Sequence, residues 1–222
     1  MPRLEIASTT LDDARNAQAG GADSIEISEN LALDGLTPAL DLVRRIRDAV
    51  TLDIYAIVRP HARNFIYTPA EMDTILADAQ ALAQIGLNGI VFGSWTPDQH
   101  LDIAAIRQVQ QAANLPVTVH RALDTSQQPD AALTALRGIV PRVLTSGPAA
   151  NAWEGRDDLC RWVTDFGRDF RFVAAGGLRL DHLADYAAQV QAHEYHFGSA
   201  ARTNGTVDPS RVRQLRAILT PN

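Results

Sequence analysis

The chain has 222 residues, 46% of them hydrophobic, a net charge of −6 and one cysteine, Cys160. That length is enough to bury one large core, and the 20 Lys and Arg residues are scattered rather than gathered into a footprint for nucleic acid. No apolar run approaches the roughly 20 residues a membrane span needs, and a lone cysteine excludes an internal disulfide framework and fits a reducing cytoplasm.

The first β-type run, RLEIA (3–7), begins at once, so no signal peptide is expected. Glu5 lies in it between two aliphatic residues. A helical stretch follows and ends at Gly20, a residue suited to a left-handed C-cap. The second run, SIEIS (24–28), repeats the first pattern with Glu26. Thr37-Pro38 reads as a helix cap followed by a first-turn proline, ahead of a stripe at Val43, Ile46 and Val50. The third run, LDIYAIVRP (52–60), ends with Arg59 in phase with Tyr55 and Ile57. Thr68-Pro69-Ala70-Glu71 is a capping box, opening a helix striped by Met72, Ile75, Leu76 and Leu82 and ending near Gly86.

The fourth run is NGIVFG (88–93), and the fifth, PVTVHR (116–121), leads into His120-Arg121-Ala122-Leu123-Asp124. The sixth, RVLTSG (142–147), ends in Thr145-Ser146-Gly147. A helix with Leu159, Trp162, Val163 and Phe166 on one face then runs to Gly167, with Cys160 on it as a core filler. FRFVAAGG (170–177) and EYHFGSA (194–200) are the last two runs, and Asp208-Pro209 caps the final helix.

Strand starts recur every 20–35 residues or so, which is one βα unit each, with no linker between them. The expectation is an α/β protein, a TIM-type (β/α)8 barrel forming one domain over residues 1–222. A doubly wound open sheet is the alternative, but no GxGxxG follows the first strand.

Active sites of such barrels sit at the carboxyl ends of the strands. A carboxylate between aliphatics in a helix-wrapped strand must face the interior, where it needs a partner. Glu5 and Glu26 are therefore placed inside at similar height, with Arg59 as the cation that holds them ionised. His120 and His196 supply groups that titrate near neutrality, and Arg121 a fork for a carboxylate or phosphate that Asp124 orients. The catalytic candidates are Glu5, Glu26, Arg59, His120, Arg121, Asp124 and His196. Small residues after the last three strands suggest an anion site built from backbone N–H groups and hydroxyls: Thr145, Ser146, Gly147, Gly176, Gly177, Gly198 and Ser199. No metal site is assigned. None of the six histidines falls in a local ligand pattern, although Glu5, Glu26, His120 and His196 would make an oxygen and nitrogen set if they met.

The stretches AGGADSIEIS, GLTP (35–38), VRP (58–60), NFIY (64–67), GIVFGSWTPD, PVTVHRALD, RVLTSG and GG…EYHFGSA resemble, in order, those of the CutC family. The resemblance implies a cytoplasmic TIM-type barrel, often a homo-oligomer, linked by family name to copper homeostasis and Cu(I) binding. Members often carry cysteines, the proposed Cu(I) ligands, at the ends of the first two strands. Here those positions read Ala7 and Ser28, and the family's RPRGGDF loop reads RPHARNF, with Asn64 in place of aspartate. Two functions are in view: copper handling, or an enzyme or binding barrel for a small anionic metabolite, phosphorylated or carboxylated. Interior charges that only fill the barrel are the third reading.

Overall fold

Strands and helices alternate along the chain, and the computed structural model describes residues 1–220. The strands are β1 (Arg3–Ser8), β2 (Ser24–Ile27), β3 (Asp53–Ile57), β4 (Gly89–Phe92), β5 (Val117–Val119), β6 (Arg142–Thr145), β7 (Arg171–Ala174) and β8 (Glu194–Phe197). All pair in parallel and in sequence order. β1 closes the ring against β8, with Glu5 beside His196. The helices that cover the outside are α1 (Leu11–Ala19), α2 (Leu40–Ala49), α3 (Pro69–Ala83), α4 (Ile103–Ala113), α5 (Pro129–Leu136), α6 (Arg156–Phe166), α7 (Leu183–Val190) and α8 (Pro209–Leu219). This is a (β/α)8 barrel, as the repeat of strand and helix patterns requires.

Alternation along the strands divides two environments. Leu4, Ile6, Ile25, Ile27 and Ile54 point outward and are fully buried against the helix stripes, including Val43, Ile46, Ile75, Leu82, Leu159 and Trp162. Each such side chain contributes about 1.5–3 kcal/mol through lost apolar exposure. The inward positions are more polar than the branched aliphatics usual in such barrels. Glu5, Thr118, Arg142 and Glu194 meet in the lower lumen, beneath a small apolar layer of Leu144, Val173 and Ala175.

The local signals hold in part. Thr68 and Glu71 form the capping box, and Asp208 caps α8 ahead of Pro209. Thr37 does not cap a helix: α2 begins at Leu40, and the Thr37 hydroxyl instead accepts the backbone N–H of Arg59 at 2.8 Å. Of the three expected C-terminal glycines only Gly86 has a positive φ; Gly20 and Gly167 stay right-handed, because in each case the chain continues the helical sense for one more residue. Cys160 is half-buried on α6, its Sγ 3.6 Å from the Gln189 carbonyl oxygen, and so lies at a helix–helix seam rather than in the core.

After β8 the chain makes a small antiparallel hairpin, β9 (Arg202–Thr203) with β10 (Thr206–Val207). Its anchor is Asp13 at the start of α1, which is 1% exposed. Asp13 accepts from Arg202 Nη1 at 3.0 Å, from the Val207 N–H at 2.9 Å and from the Thr9 N–H at 3.0 Å. Burial raises the Asp13 pKa, but these donors outweigh it and hold the carboxyl below its ordinary value. The loop that leaves β8 is thus tied to the first helix.

The β6–α6 connection depends on close backbone approach. A Cβ on Gly155 would lie 2.0 Å from the Ser146 carbonyl oxygen and 3.0 Å from the Gly147 Cα. Gly155→Ala is therefore expected to destabilise the protein by about 1–3 kcal/mol, as other overpacking changes do. Urea unfolding followed by circular dichroism measures it, and an unchanged midpoint would count against this packing.

Candidate functional site

The carboxyl ends of the strands surround a cleft of about 770 Å³. Its floor and walls take one or more residues from most strand ends: Ala7 from β1, Glu26 and Ser28 at β2, Ile57 and Arg59 at β3, His120 and Arg121 after β5, and Leu144 from β6. Gly176 and Gly177 follow β7, and His196, Gly198 and Ser199 complete the ring at β8.

Glu5 lies beneath this cleft rather than in its wall. The register explains why: Glu5 pairs with Ser24, whereas Glu26 pairs with Ala7, two residues nearer the rim. The carboxylates are therefore stacked along the barrel axis and not level, as the sequence suggests. Glu5 is fully buried, and its Oε2 accepts from Arg142 Nη2 at 2.7 Å and from Ser24 Oγ at 3.3 Å. Its Oε1 is 3.0 Å from His196 Nδ1. Arg142 crosses the lumen from β6, bonds Glu194 at 2.7 Å through the same nitrogen, and lies 4.3 Å from the centre of the Tyr55 ring.

The cation on Glu5 is Arg142 and not Arg59, to which the strand phase points. β3 ends at Ile57, so alternation no longer governs Arg59. Its Nη1 donates to the carbonyls of Leu33 (2.7 Å), Asp34 (3.3 Å) and Gly35 (3.2 Å), and its guanidinium lies 4.9 Å from the centre of the Phe65 ring. Arg142 escapes a search of strand ends because it opens its strand. Its signal was the two-residue phase with Leu144, which puts both side chains inside.

Burial raises the Glu5 pKa, but the Arg142 charge and the His196 hydrogen bond overcome this and bring it to about 2. Burial likewise dominates at Glu26, where no hydrogen bond compensates it, and the pKa stays raised. At His196 burial lowers the value, but the bond to Glu5 and the charges of Glu26 and Glu5 win, so the net shift is upward. One atom each from Glu5, Glu26 and His196 lie within 4.8 Å of one another. Glu26 and His196 thus stand close together at the cleft floor, both with raised pKa values, with an ionised Glu5 on Nδ1 of the imidazole.

His120 is in a different setting. It follows β5 directly, and a Cβ on Gly93 would lie 2.8 Å from its ring, so glycine there makes room for the imidazole. The Ala122 N–H donates to Nδ1 at 3.1 Å. Burial, together with Arg59 and Arg121, lowers the His120 pKa to about 3, so the ring is neutral at pH 7. It does not join the Glu5, Glu26 and His196 group.

Asp124 turns away from the cleft. It is 5% exposed and accepts from the Ser146 N–H at 2.9 Å, Ser146 Oγ at 2.8 Å, the Thr145 hydroxyl, and Arg121 Nε at 3.2 Å. Thr145 and Ser146 thus spend their donors on Asp124 rather than on a ligand, and Gly147 packs on Gly155. These three do not line the cleft, whereas Gly176, Gly177, Gly198 and Ser199 do. Asp124 orients Arg121, whose Nη2 also donates to the Ala150 carbonyl at 3.0 Å and whose side chain is 34% exposed beside Gly176.

A closed parallel barrel with ionisable side chains converging at its carboxyl rim is the architecture of a (β/α)8 protein with a small-molecule cleft. Its family follows from sequence. The profile of the CutC family matches residues 3–201, and the chain belongs to that family. A family protein CutC from Mesorhizobium japonicum is 37% identical over 90% of this chain and 78% of its own length. The copper homeostasis protein cutC homolog of Drosophila melanogaster is 33% identical, covering 95% of this chain and 82% of that one. Among solved structures, a CutC protein from Streptococcus agalactiae superposes with a TM-score of 0.84 at 20% identity, over 90% of this chain and 99% of that one. Phosphoribosyl anthranilate isomerase from Thermotoga maritima shares the fold, with a TM-score of 0.66 at 16% identity, over 99% and 98% of the two chains.

Two outcomes follow from the buried network. Arg142→Leu leaves Glu5 and Glu194 without their shared cation and is expected to cost about 3–5 kcal/mol in denaturant melts, with part regained in Arg142→Leu/Glu5→Gln. Arg59→Gln, which touches neither carboxylate, should show no such coupling to Glu5→Gln. The pH dependence has a defined sign. Glu5 is depressed from 4.5 to about 2, so its stabilising contribution is complete above pH 4.5 and is lost as pH falls toward 2. His196 is raised from 6.5 and acts in the opposite sense: its contribution is complete below 6.5 and lost as pH rises through its folded value. NMR titration of the histidines should find His196 above 6.5 and lowered in Glu5→Gln.

Proposed function

We propose that the cleft binds a small anionic metabolite and that Glu26 and His196 transfer a proton on it. The observation that carries this reading is Glu26 itself. It is 8% exposed, has no hydrogen-bond partner among the described residues, and stands beside His196 in the floor of a cleft with arginines in its wall. A carboxyl group held that way, with a raised pKa, suits a general acid or base. Glu5, itself held by Arg142, fixes the imidazole by its Nδ1, which leaves its second nitrogen for exchange with Glu26 or ligand. Arg121, Gly177, Gly198 and Ser199 supply positive charge and close backbone approach for the anionic end of the ligand. All 20 Lys and Arg positions are arginine, so no lysine is present to form a Schiff base, which favours proton transfer over amine catalysis.

Copper handling, the property named in a relative from Drosophila melanogaster, has less support in this chain. Cu(I) favours thiolate and thioether ligands. The cleft positions Ala7 and Ser28 provide neither, Cys160 sits at the α6–α7 seam, and Met72 packs on the outer core. Glu5, Glu26 and His196 form a set of hard oxygen and imidazole donors, with the Arg142 guanidinium already on one of them.

Inorganic phosphate tests the anion reading. It should raise the melting temperature of the protein in a concentration-dependent way. Arg121→Gln should weaken the apparent affinity at least fivefold, and Cys160→Ser should leave it unchanged. No shift at tens of millimolar phosphate would reject the reading. For copper, titration against a Cu(I) chelator is expected to find no stoichiometric site of sub-picomolar affinity; such a site surviving Cys160→Ser would reverse the preference.

A further inference from the structure

Three buried side-chain atoms without a hydrogen-bond partner lie in one wall of the cleft: Ser28 Oγ, Arg59 Nε and His120 Nε2. They come from the ends of β2, β3 and β5, and two neighbours link them in pairs. Gly35 touches the first two: a Cβ there would lie 3.3 Å from Ser28 Oγ, and its carbonyl accepts from Arg59 at 3.2 Å. The Phe65 ring joins the last two, 4.9 Å from the Arg59 guanidinium carbon and 4.9 Å from the His120 ring centre. All three residues are nine-tenths or more buried.

Each atom is a donor. Arg59 Nε carries a proton at any working pH. Nδ1 of His120 accepts from the Ala122 N–H, so the proton of the neutral ring resides on Nε2. The Ser28 hydroxyl rotates freely and has no acceptor to serve. Buried donors left unpaired cost free energy, and a native protein retains them for a reason. Three of them at one corner call for an acceptor with several lone pairs and negative charge. Phe65 is half-buried and belongs to the segment between β3 and α3, where the described structure has neither helix nor strand. Its ring lines the cleft beside Arg59 and His120.

We propose that Ser28, Arg59 and His120 form a carboxylate-binding subsite, so that the ligand is a small phosphorylated carboxylic acid. Its phosphate lies at Gly177, Gly198, Ser199 and Arg121, and its carboxylate lies under Phe65. This rests on the anionic-ligand reading above and makes it two-ended, with Glu26 and His196 facing the carbon atoms between. Position 28 thereby acquires a role as an oxygen donor.

Three probes test it: ethyl phosphate, glycolate and 2-phosphoglycolate, by calorimetry and by the imidazole ¹H–¹⁵N resonances, with His120 assigned from its loss in His120→Gln. The expected result is that 2-phosphoglycolate binds at least tenfold more tightly than ethyl phosphate. The Nε2 resonance of His120 moves with glycolate and 2-phosphoglycolate but not with ethyl phosphate. Ser28→Ala removes an unpaired group, so it should melt at or above the wild-type temperature, bind ethyl phosphate as before and lose at least fivefold for 2-phosphoglycolate. If ethyl phosphate binds while 2-phosphoglycolate is no tighter and His120 does not respond, the subsite is wrong and the anion reading stands. If glycolate moves His120 but ethyl phosphate does not bind, the carboxylate corner stands and the phosphate end is wrong. If no probe binds and His120 is unmoved, both fall.

Discussion

One guanidinium organises the interior of this barrel. Arg142 reaches across the lumen to Glu5 and Glu194 and stacks on Tyr55, at a depth where water does not compete. Arginine cannot shed its proton there, so Glu5 remains charged and the lower lumen is committed to a fixed ionic contact. A core of aliphatic side chains would have been as stable or more so. What the ionic version provides is an ionised carboxylate held against Nδ1 of His196, and hence an imidazole of set orientation at the cleft floor.

That constraint reaches one of the two cleft histidines and not the other, and they have opposite characters. His196 stands over two carboxylates and holds its proton more firmly than a free imidazole. His120 stands among arginines under an aromatic ring and does not take a second proton at neutral pH. One fold thus places two imidazoles of opposite tendency in the same cleft, through burial and the charges around each ring rather than through any difference in the residue. Asp124 performs a comparable task for Arg121, aiming the cation from behind while Thr145 and Ser146 keep the carboxylate saturated.

Much of this was legible in sequence where a period governed the side chain. Alternation within RLEIA and SIEIS puts Glu5 and Glu26 inside, and the helix stripes identify the outer core. Legibility fails where the period stops. Arg59 was assigned to the carboxylates by extending the alternation of β3 beyond Ile57, but past that point its direction is set by the carbonyls of residues 33–35. Relative height also escapes a one-dimensional reading, since the stagger between β1 and β2 decides that Glu26 is in the cleft and Glu5 below it. Arg142 was readable from its phase with Leu144, yet attention to carboxyl ends of strands passes over a residue at the opposite end. The hydroxyls of Thr145 and Ser146 illustrate a third cause: residue type announces a donor but not which acceptor claims it.

Glu5 finds its ionisable partners only late in the chain, since Arg142 and His196 follow it by 137 and 191 residues. At about 5–20 residues per second, a ribosome adds the first of these partners only after roughly 7–27 s. Through that interval β1 carries a carboxylate that prefers to stay hydrated, which opposes burial of the amino-terminal strands in a dry, premature core. The same acid that orders the finished lumen therefore delays its closure, and the floor of the cleft is among the last parts of the molecule to assemble.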